Sequence, residues 1–168
     1  MNTRFGVRSG ALFAGVLLLT GCTSAAGGDT PSSVKPLEFR LVTSSVDGAC
    51  DARALTSHDP GTACNMAGTI TYELGESLGA VTPTSVTSPT GQGSANSVVL
   101  ELSTADTSTL GTVSGGAVGK KLAILLDGRV LSAPLVAAPI TAGPLTLAFA
   151  SASEAEQTAA ALKGTETP

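Results

Sequence analysis

The segment GKKLAILLDGRVLSAPLVAAPI, at residues 119–140, constrains the fold of this chain more than any other part of the sequence. Within it, Leu122–Leu126 is an uninterrupted apolar run of strand length, which predicts a strand that is buried on both faces. Asp127-Gly128 follows directly and favours a two-residue hairpin turn. We therefore expect Arg129–Ala133 to return antiparallel and to end or bulge at Pro134, because proline has no N–H to donate to a neighbouring strand.

Four further segments have the composition of strands or alternate between apolar and polar residues. In the first of them, Leu37, Phe39 and Leu41 alternate with more polar positions, which predicts a half-buried strand. Arg40 is expected on the polar face of that strand. The predicted strands outside the hairpin are Leu37–Val42, Ile70–Leu74, Ser97–Leu102 and Leu145–Phe149.

Two segments have helical signals of unequal strength. Ser151 and Glu154 have the spacing of a capping box before an alanine-rich run, and Gly164 is placed to end that helix. Residues 103–118 begin with good helix-capping residues but contain Gly-Gly and Thr-Ser-Thr, so the sequence leaves the existence of this helix open. The C-terminal helix has a narrow apolar stripe that consists of Ala155, Ala159 and Leu162.

Together these elements predict an α+β fold, with a small, mainly antiparallel sheet and one or two helices packed on one face. We expect the hairpin to form the centre of this sheet and the helix at residues 154–163 to cover it. Residues 37–164 have the length of one domain and are enough to bury a core.

The N-terminal residues have the pattern of an export signal that is followed by a lipid attachment site. Arg4 and Arg8 precede an apolar run at residues 11–19, which is too short to span a bilayer. The next residues, Leu19-Thr20-Gly21-Cys22, resemble the lipobox of bacterial lipoproteins. This resemblance implies that residues 1–21 are a signal peptide and that Cys22 carries lipid. An ordinary secretory signal or an uncleaved anchor is the alternative.

The segment between the predicted lipid site and the domain has the composition of a linker. Residues 22–36 are small and polar and contain Gly and Pro, so we expect a lipidated cysteine followed by a flexible tether. Residues 165–168 are expected to form a disordered tail. These expectations place the domain on the extracytoplasmic face of the bacterial cell membrane, held there by lipid.

Two cysteines remain once Cys22 is assigned to lipid. In an oxidising compartment, Cys50 and Cys64 are expected to form a disulfide, which would stabilise the fold by about 3 kcal/mol. A metal-binding or redox pair is the competing interpretation, although the spacing is not Cys-x-x-Cys and the chain has one histidine.

The charge and the motifs of the chain weigh against several classes of function. The net charge is −4 and becomes more negative without Arg4 and Arg8, which argues against nucleic acid as a partner and against polybasic binding to anionic lipid. The neighbours Ser57, His58 and Asp59 suggest a catalytic triad, but adjacent side chains point in different directions, so a polar loop is the preferred interpretation. We expect no enzymatic activity, no cofactor and no metal site.

The C-terminal residues carry a resemblance to a known family. The pattern Gly-Lys-x-Leu-Ala-Ile, the Leu-Asp-Gly turn and the following Ser-Ala-Pro resemble the extracytoplasmic head subdomain of SecD, an accessory subunit of the bacterial Sec translocase. Upstream, Tyr72-Glu73-Leu74-Gly75 resembles a turn of the same family. The glycines at 111, 115 and 116 depart from the family pattern, in which helix formers precede the hairpin. The matching residues are Gly119, Lys120, Leu122, Ala123, Ile124, Leu126, Asp127, Gly128, Ser132, Ala133, Pro134, Ile140 and Gly143.

The resemblance favours a non-catalytic module that assists protein export by binding exported polypeptides or components of the Sec translocase. This hypothesis predicts an exposed strand edge or apolar groove near residues 134–140. The candidate binding surface consists of Pro134, Leu135, Val136 and Ile140. An envelope lipoprotein that binds a small ligand, or one with a structural role, remains the alternative. The low aromatic content, 3%, counts against a ligand pocket.

Overall fold

The computed structural model describes residues 34–88 and 96–164 as an α+β structure, in agreement with the predicted fold class. The predicted signal peptide, Cys22, most of the tether and the tail at 165–168 lie outside the described residues. The strands are β1 (Leu37–Asp47), β2 (Gly61–Cys64), β3 (Ile70–Val81), β4 (Ser85–Thr87), β5 (Ser97–Glu101), β6 (Leu122–Leu126), β7 (Arg129–Ser132) and β8 (Leu145–Ala148), and the helices are α1 (Thr104–Gly116) and α2 (Ala152–Leu162).

The larger sheet has five antiparallel strands in the order β2-β3-β1-β6-β7. The predicted hairpin is formed by β6 and β7, with positive φ at both Asp127 and Gly128. Its predicted position at the centre of the sheet is wrong, because β1 occupies the centre and β7 lies at an edge. Strand β1 pairs with β3 on one side and with β6 on the other. The sequence of the hairpin alone contains no information about this strand order.

The burial of β6 on both faces is confirmed, since all five of its residues are buried. Alternate residues contribute to two separate apolar clusters: Ile124 packs in the main core and Leu125 in a smaller one on the opposite face of the sheet. The predicted interruption near Pro134 is also found. β7 ends at Ser132, and the chain then pairs again with the residues before β6 through a bridge between Leu135 and Lys121.

A second sheet, which the sequence did not predict, has three antiparallel strands in the order β4-β5-β8. Helix α2 packs against β5 and β4 of this sheet and not on the hairpin as expected. The predicted cap of α2 is confirmed, because the hydroxyl of Ser151 accepts a hydrogen bond from the Glu154 amide. The predicted stripe of Ala155, Ala159 and Leu162 is buried.

The helix whose existence the sequence of residues 103–118 left open does form, as α1, and it packs against β3. The side chain of Ser103 caps it by accepting a hydrogen bond from the amide of Asp106 at 3.1 Å. Leu110 and Val113 are buried in the main core. The burial of these two side chains, together with the hydrogen bond of the N-terminal cap, therefore offsets the low helix propensity of the glycines.

The disulfide between Cys50 and Cys64 is present, with a distance of 5.6 Å between the Cα atoms. The loop that it closes lies on the β6–β7 turn, where the amide of Leu55 donates to the carbonyl of Gly128 at 3.0 Å. The same loop also covers Arg40. The disulfide thus holds a loop that contacts both the centre and the edge of the larger sheet.

The expectation that Arg40 lies on a polar face is wrong, because its side chain is completely buried. Its guanidinium donates to the backbone carbonyls of Ser57, Asp59 and Gly75 and to the carboxylate of Glu38. Guanidinium groups have five N–H donors, and this set of acceptors satisfies the buried charge. The alternation of β1 is thus interrupted by an ionic residue that the loop covers.

Candidate functional site

An apolar cavity of about 340 Å³ lies between the two sheets and α1. Buried side chains from β1, β6 and α1 form part of its lining, and β8 forms another part. We call it the apolar groove. It is lined by Phe39, Leu110, Leu122, Ile124, Ser132, Pro134, Val136, Ile140, Leu145, Thr146, Leu147 and Ala148.

The groove faces the edge of β8 rather than one of its faces. In a strand, successive side chains point to opposite sides, and the burial of β8 follows that rule, with Leu145 and Leu147 buried and Thr146 and Ala148 exposed. All four residues nevertheless line the groove. Because β8 is an edge strand, alternate residues direct backbone N–H and C=O groups away from β5 and towards this space.

The opposite rim of the groove lies at the end of β7, the edge strand of the larger sheet. Ser132 and Pro134 line the groove at that point. Nearer the hairpin turn, the edge of β7 is covered, because the amide of Met66 donates to the carbonyl of Val130 at 3.2 Å. Ser132 pairs with Ile124, which also lines the groove, so β7 borders the groove through the sheet face that it shares with β6.

Small residues of α1 position the chain at the rim of the groove. The buried hydroxyl of Ser114 donates to the carbonyl of Leu110 at 2.6 Å and accepts from the amide of Ile140 at 2.8 Å. A Cβ at Gly111 would lie 3.5 Å from the carbonyl oxygen of Ile140, and one at Gly115 would lie 3.9 Å from Pro139. Two of the three glycines that depart from the family pattern, Gly111 and Gly115, thus lie where α1 packs against this segment, whereas a Cβ at Gly116 would have no neighbour within 4 Å.

Replacing Ser114 by alanine is expected to destabilise the domain by about 1–2 kcal/mol, because the half-buried amide of Ile140 loses its acceptor. The exposed Thr112 makes a similar bond to the preceding turn, at 3.1 Å to the carbonyl of Ser108, and provides the matched control. Urea unfolding followed by circular dichroism measures both variants, and amide hydrogen exchange reports on Ile140. Equal effects of Ser114→Ala and Thr112→Ala would contradict the positioning role.

The four residues of the predicted binding surface have different positions. Pro134 is exposed, and Ile140 is half-buried; both line the groove. Val136 is only 5% exposed and packs in the main core, and it also lines the groove. Leu135 is 66% exposed but does not line the groove. Alternation along this short extended segment explains the difference, because neighbouring side chains point in opposite directions.

The polar residues that suggested a triad do not converge on one another. Ser57 and Asp59 contribute backbone carbonyls to Arg40, and the imidazole of His58 is 87% exposed, with Nδ1 3.6 Å from Glu38 Oε1. Residues 34–88 and 96–164 contain no cluster of three or more His, Cys, Asp or Glu side chains placed to hold a metal ion. At the smaller core cluster, burial and the nearby charge of Asp47 raise the pKa of Tyr72 above its ordinary value of 10.0.

The sequence hypothesis expected an exposed strand edge or apolar groove near residues 134–140, and Pro134, Val136 and Ile140 line the groove. The contribution of β8 to the lining could not be read from sequence patterns, since it depends on how the two sheets approach each other. The model of the family described as "SecDF, P1 head subdomain" matches residues 76–166, which is more than half of the chain. The chain belongs to this family. The match begins within β3, so β1, β2 and the disulfide loop lie outside the matched residues.

Solved structures of SecDF have a similar fold. One, titled as a membrane component SecDF that enhances protein export, has 24% sequence identity and a TM-score of 0.53 over 82% of this chain and 66% of its own. Another, of SecDF in a "Super-membrane-facing form", has 23% identity and a TM-score of 0.52 over 82% of this chain and 20% of its own. The present chain therefore spans less than two thirds of either SecDF chain. A search of curated proteins finds no match.

No helix among the described residues is both long and apolar enough to cross a membrane.

Proposed function

We propose that this SecDF head-family protein is an extracytoplasmic lipoprotein, anchored through Cys22, that binds extended segments of exported polypeptides without catalysing a reaction. The observation that carries the proposal is the apolar groove that faces the unpaired edge of β8. Membership of the SecDF head family supports a role related to protein export. One of the SecDF structures with a similar fold is titled as that of a membrane component that enhances protein export, which is consistent with this role.

The chemistry of the groove matches that of an unfolded chain. An extended polypeptide has backbone N–H and C=O groups at regular intervals and apolar side chains on either side of them. The edge of β8 can pair with that backbone, and the buried side chains of the groove can contact its apolar residues. Backbone pairing is independent of sequence, which suits a protein that handles many different exported chains.

A small apolar ligand is the second candidate, because the groove volume of about 340 Å³ is near the lower end of the range for ligand pockets. The two candidates differ in what remains free when the groove is filled. A polypeptide would extend beyond both ends of β8, whereas a small ligand would be enclosed. A crosslinker in the groove therefore distinguishes them by the mass of the adduct.

A photoreactive residue at Thr146, on the exposed face of β8, is expected to crosslink to many unrelated exported proteins in intact cells. Thr87 is the matched control, since it is an exposed threonine on the opposite edge strand of the same sheet and does not line the groove. Mass spectrometry of the adducts from both positions gives the result. One recurrent partner, a small-molecule adduct, or equal labelling from Thr87 would contradict the proposal.

A charge in the groove should reduce this labelling without unfolding the domain. In the variant Ala148→Asp, an exposed groove residue becomes a carboxylate that a bound apolar segment would have to desolvate. We expect roughly a ten-fold loss of crosslinks from position 146, because burying an unpaired charge costs more than about 1.4 kcal/mol. Unchanged labelling would show that clients do not enter the groove.

A further inference from the structure

An exposed corner of the domain combines apolar and basic side chains next to the groove. The turn after α1 runs beside residues 134–136, with the Gly119 amide bonded to the Val136 carbonyl at 2.9 Å and the Val136 amide to the Lys120 carbonyl at 3.0 Å. Val118 is 44% exposed and Leu135 is 66% exposed, and both neighbouring lysines are exposed. We call this set, Val118, Lys120, Lys121 and Leu135, the basic corner.

The lysines of the basic corner are available to an external partner. Lys121 pairs with Leu135 across an antiparallel bridge, so that the ammonium group and the most exposed apolar side chain of the corner are neighbours. Neither Lys120 nor Lys121 takes part in an ion pair among the described residues. By contrast, Lys35 pairs with Asp127 and Arg40 with Glu38.

We propose that the basic corner docks on an anionic lipid surface, with Leu135 and Val118 at the acyl boundary and the two lysines at headgroup phosphates. The net charge of −4 excludes a general attraction to such a surface, so the contact depends on this local charge. The inference rests on the proposed lipid anchor. If residues 22–36 form the expected tether, a random coil of about 14 residues would span roughly 20 Å. That span is comparable with the length of β6, which separates Lys121 from Asp127, where Lys35 pairs with the domain.

The lipid proposed on Cys22 would hold the chain at a membrane without orienting the domain. A local contact through two lysines and two apolar side chains would set that orientation. Docking would also fix the position of the groove, because Pro134 and Val136 lie in both the groove and the segment that carries the corner. The groove would then open close to the membrane surface, where an exported chain emerges.

Tryptophan fluorescence tests the docking directly, because the chain contains no tryptophan. We would place one tryptophan at a time, as Leu135→Trp or Val118→Trp, in the full lipid-anchored chain and reconstitute each in vesicles with brominated phosphatidylcholine. Val46→Trp is the matched control, since Val46 is also 66% exposed and lies on β1 outside the basic corner. Circular dichroism verifies that each variant is folded.

The expected result is a blue shift and quenching for Leu135→Trp in vesicles that contain phosphatidylglycerol, with neither for Val46→Trp. Lys120→Gln with Lys121→Gln should reduce the docked population about 25-fold, at roughly five-fold per lysine, and high salt should have a similar effect. Equal quenching in phosphatidylcholine alone, or no difference between Leu135→Trp and Val46→Trp, would overturn the proposal.

Other outcomes are equally decisive. A blue shift without quenching by the brominated lipid, which appears only when a purified Sec translocase is added, would indicate an acidic protein partner in place of lipid and would also overturn the proposal. Mass spectrometry of Cys22 tests the anchor itself, and crosslinking at Thr146 tests polypeptide binding. Failure of the lipid contact can therefore be distinguished from failure of the proposed function.

Discussion

Gly128→Ala is expected to destabilise the domain by roughly 2–4 kcal/mol, because the added methyl group combines backbone strain with a collision. Gly128 has a φ of +73°, which L-residues rarely adopt. In addition, a Cβ at this position would lie within 2.9 Å of the backbone carbonyl carbon of Leu55, and closer to its nitrogen and oxygen. The loop would have to move and lose its hydrogen bond to the hairpin turn.

Gly119 provides a control that separates backbone strain from this collision. Its φ is +76°, almost the same as that of Gly128, but a Cβ there would have no neighbour within 4 Å. Gly119→Ala should therefore cost only about 1 kcal/mol, the conformational part of the effect. Urea unfolding followed by circular dichroism measures both variants. Equal losses of stability would mean that the disulfide loop moves away from the turn at little cost.

The hairpin was predictable because its signals are local. Asp127-Gly128 selects the turn, and the apolar run before it predicts a strand buried on two faces. The cap of α2 is equally local, since Ser151 and Glu154 are separated by three residues. The disulfide was expected from the number of cysteines and from the export signal that the N-terminal residues resemble. In each case the interacting residues are close in sequence or have few possible partners.

The features that could not be predicted depend on contacts between distant segments. The position of β1 at the centre of the larger sheet depends on pairing with β3 and β6, which are separated from each other by more than one element. The exposure of the β8 edge to the groove depends on how the two sheets approach each other. Val136 is buried while its neighbour Leu135 is exposed, and a strand pattern that begins after Pro134 does not fix which of the two faces inwards.

The helix α1 shows how tertiary contacts compensate for a poor local signal. Gly111 and Gly115 weaken the helix, yet they lie where the segment at 139–141 packs against it. Ser114 between them binds the Ile140 amide. The sequence does contain this signal as a run of small residues with helical spacing, but its meaning depends on knowing which segment packs there.

Arg40→Leu is expected to destabilise the domain by about 3–5 kcal/mol, because the substitution leaves buried acceptors without a donor. The guanidinium contacts three backbone carbonyls, two of which belong to the disulfide loop, at Ser57 and Asp59. Leucine fills part of the volume but donates no hydrogen bond. Arg53→Leu, at an exposed position in the same loop, is the matched control and should change stability by less than about 0.5 kcal/mol.

Arg40→Lys separates charge from geometry at the same position. Lysine retains the positive charge for Glu38, but its three donors leave from one atom and cannot reproduce the fork that spans the loop carbonyls and Gly75. We expect an intermediate loss of stability in urea. Because Arg53 is exposed in the loop, limited trypsin digestion on the native protein should cleave there faster in both Arg40 variants. Unchanged cleavage with full loss of stability would mean that Arg40 supports the sheet and not the loop.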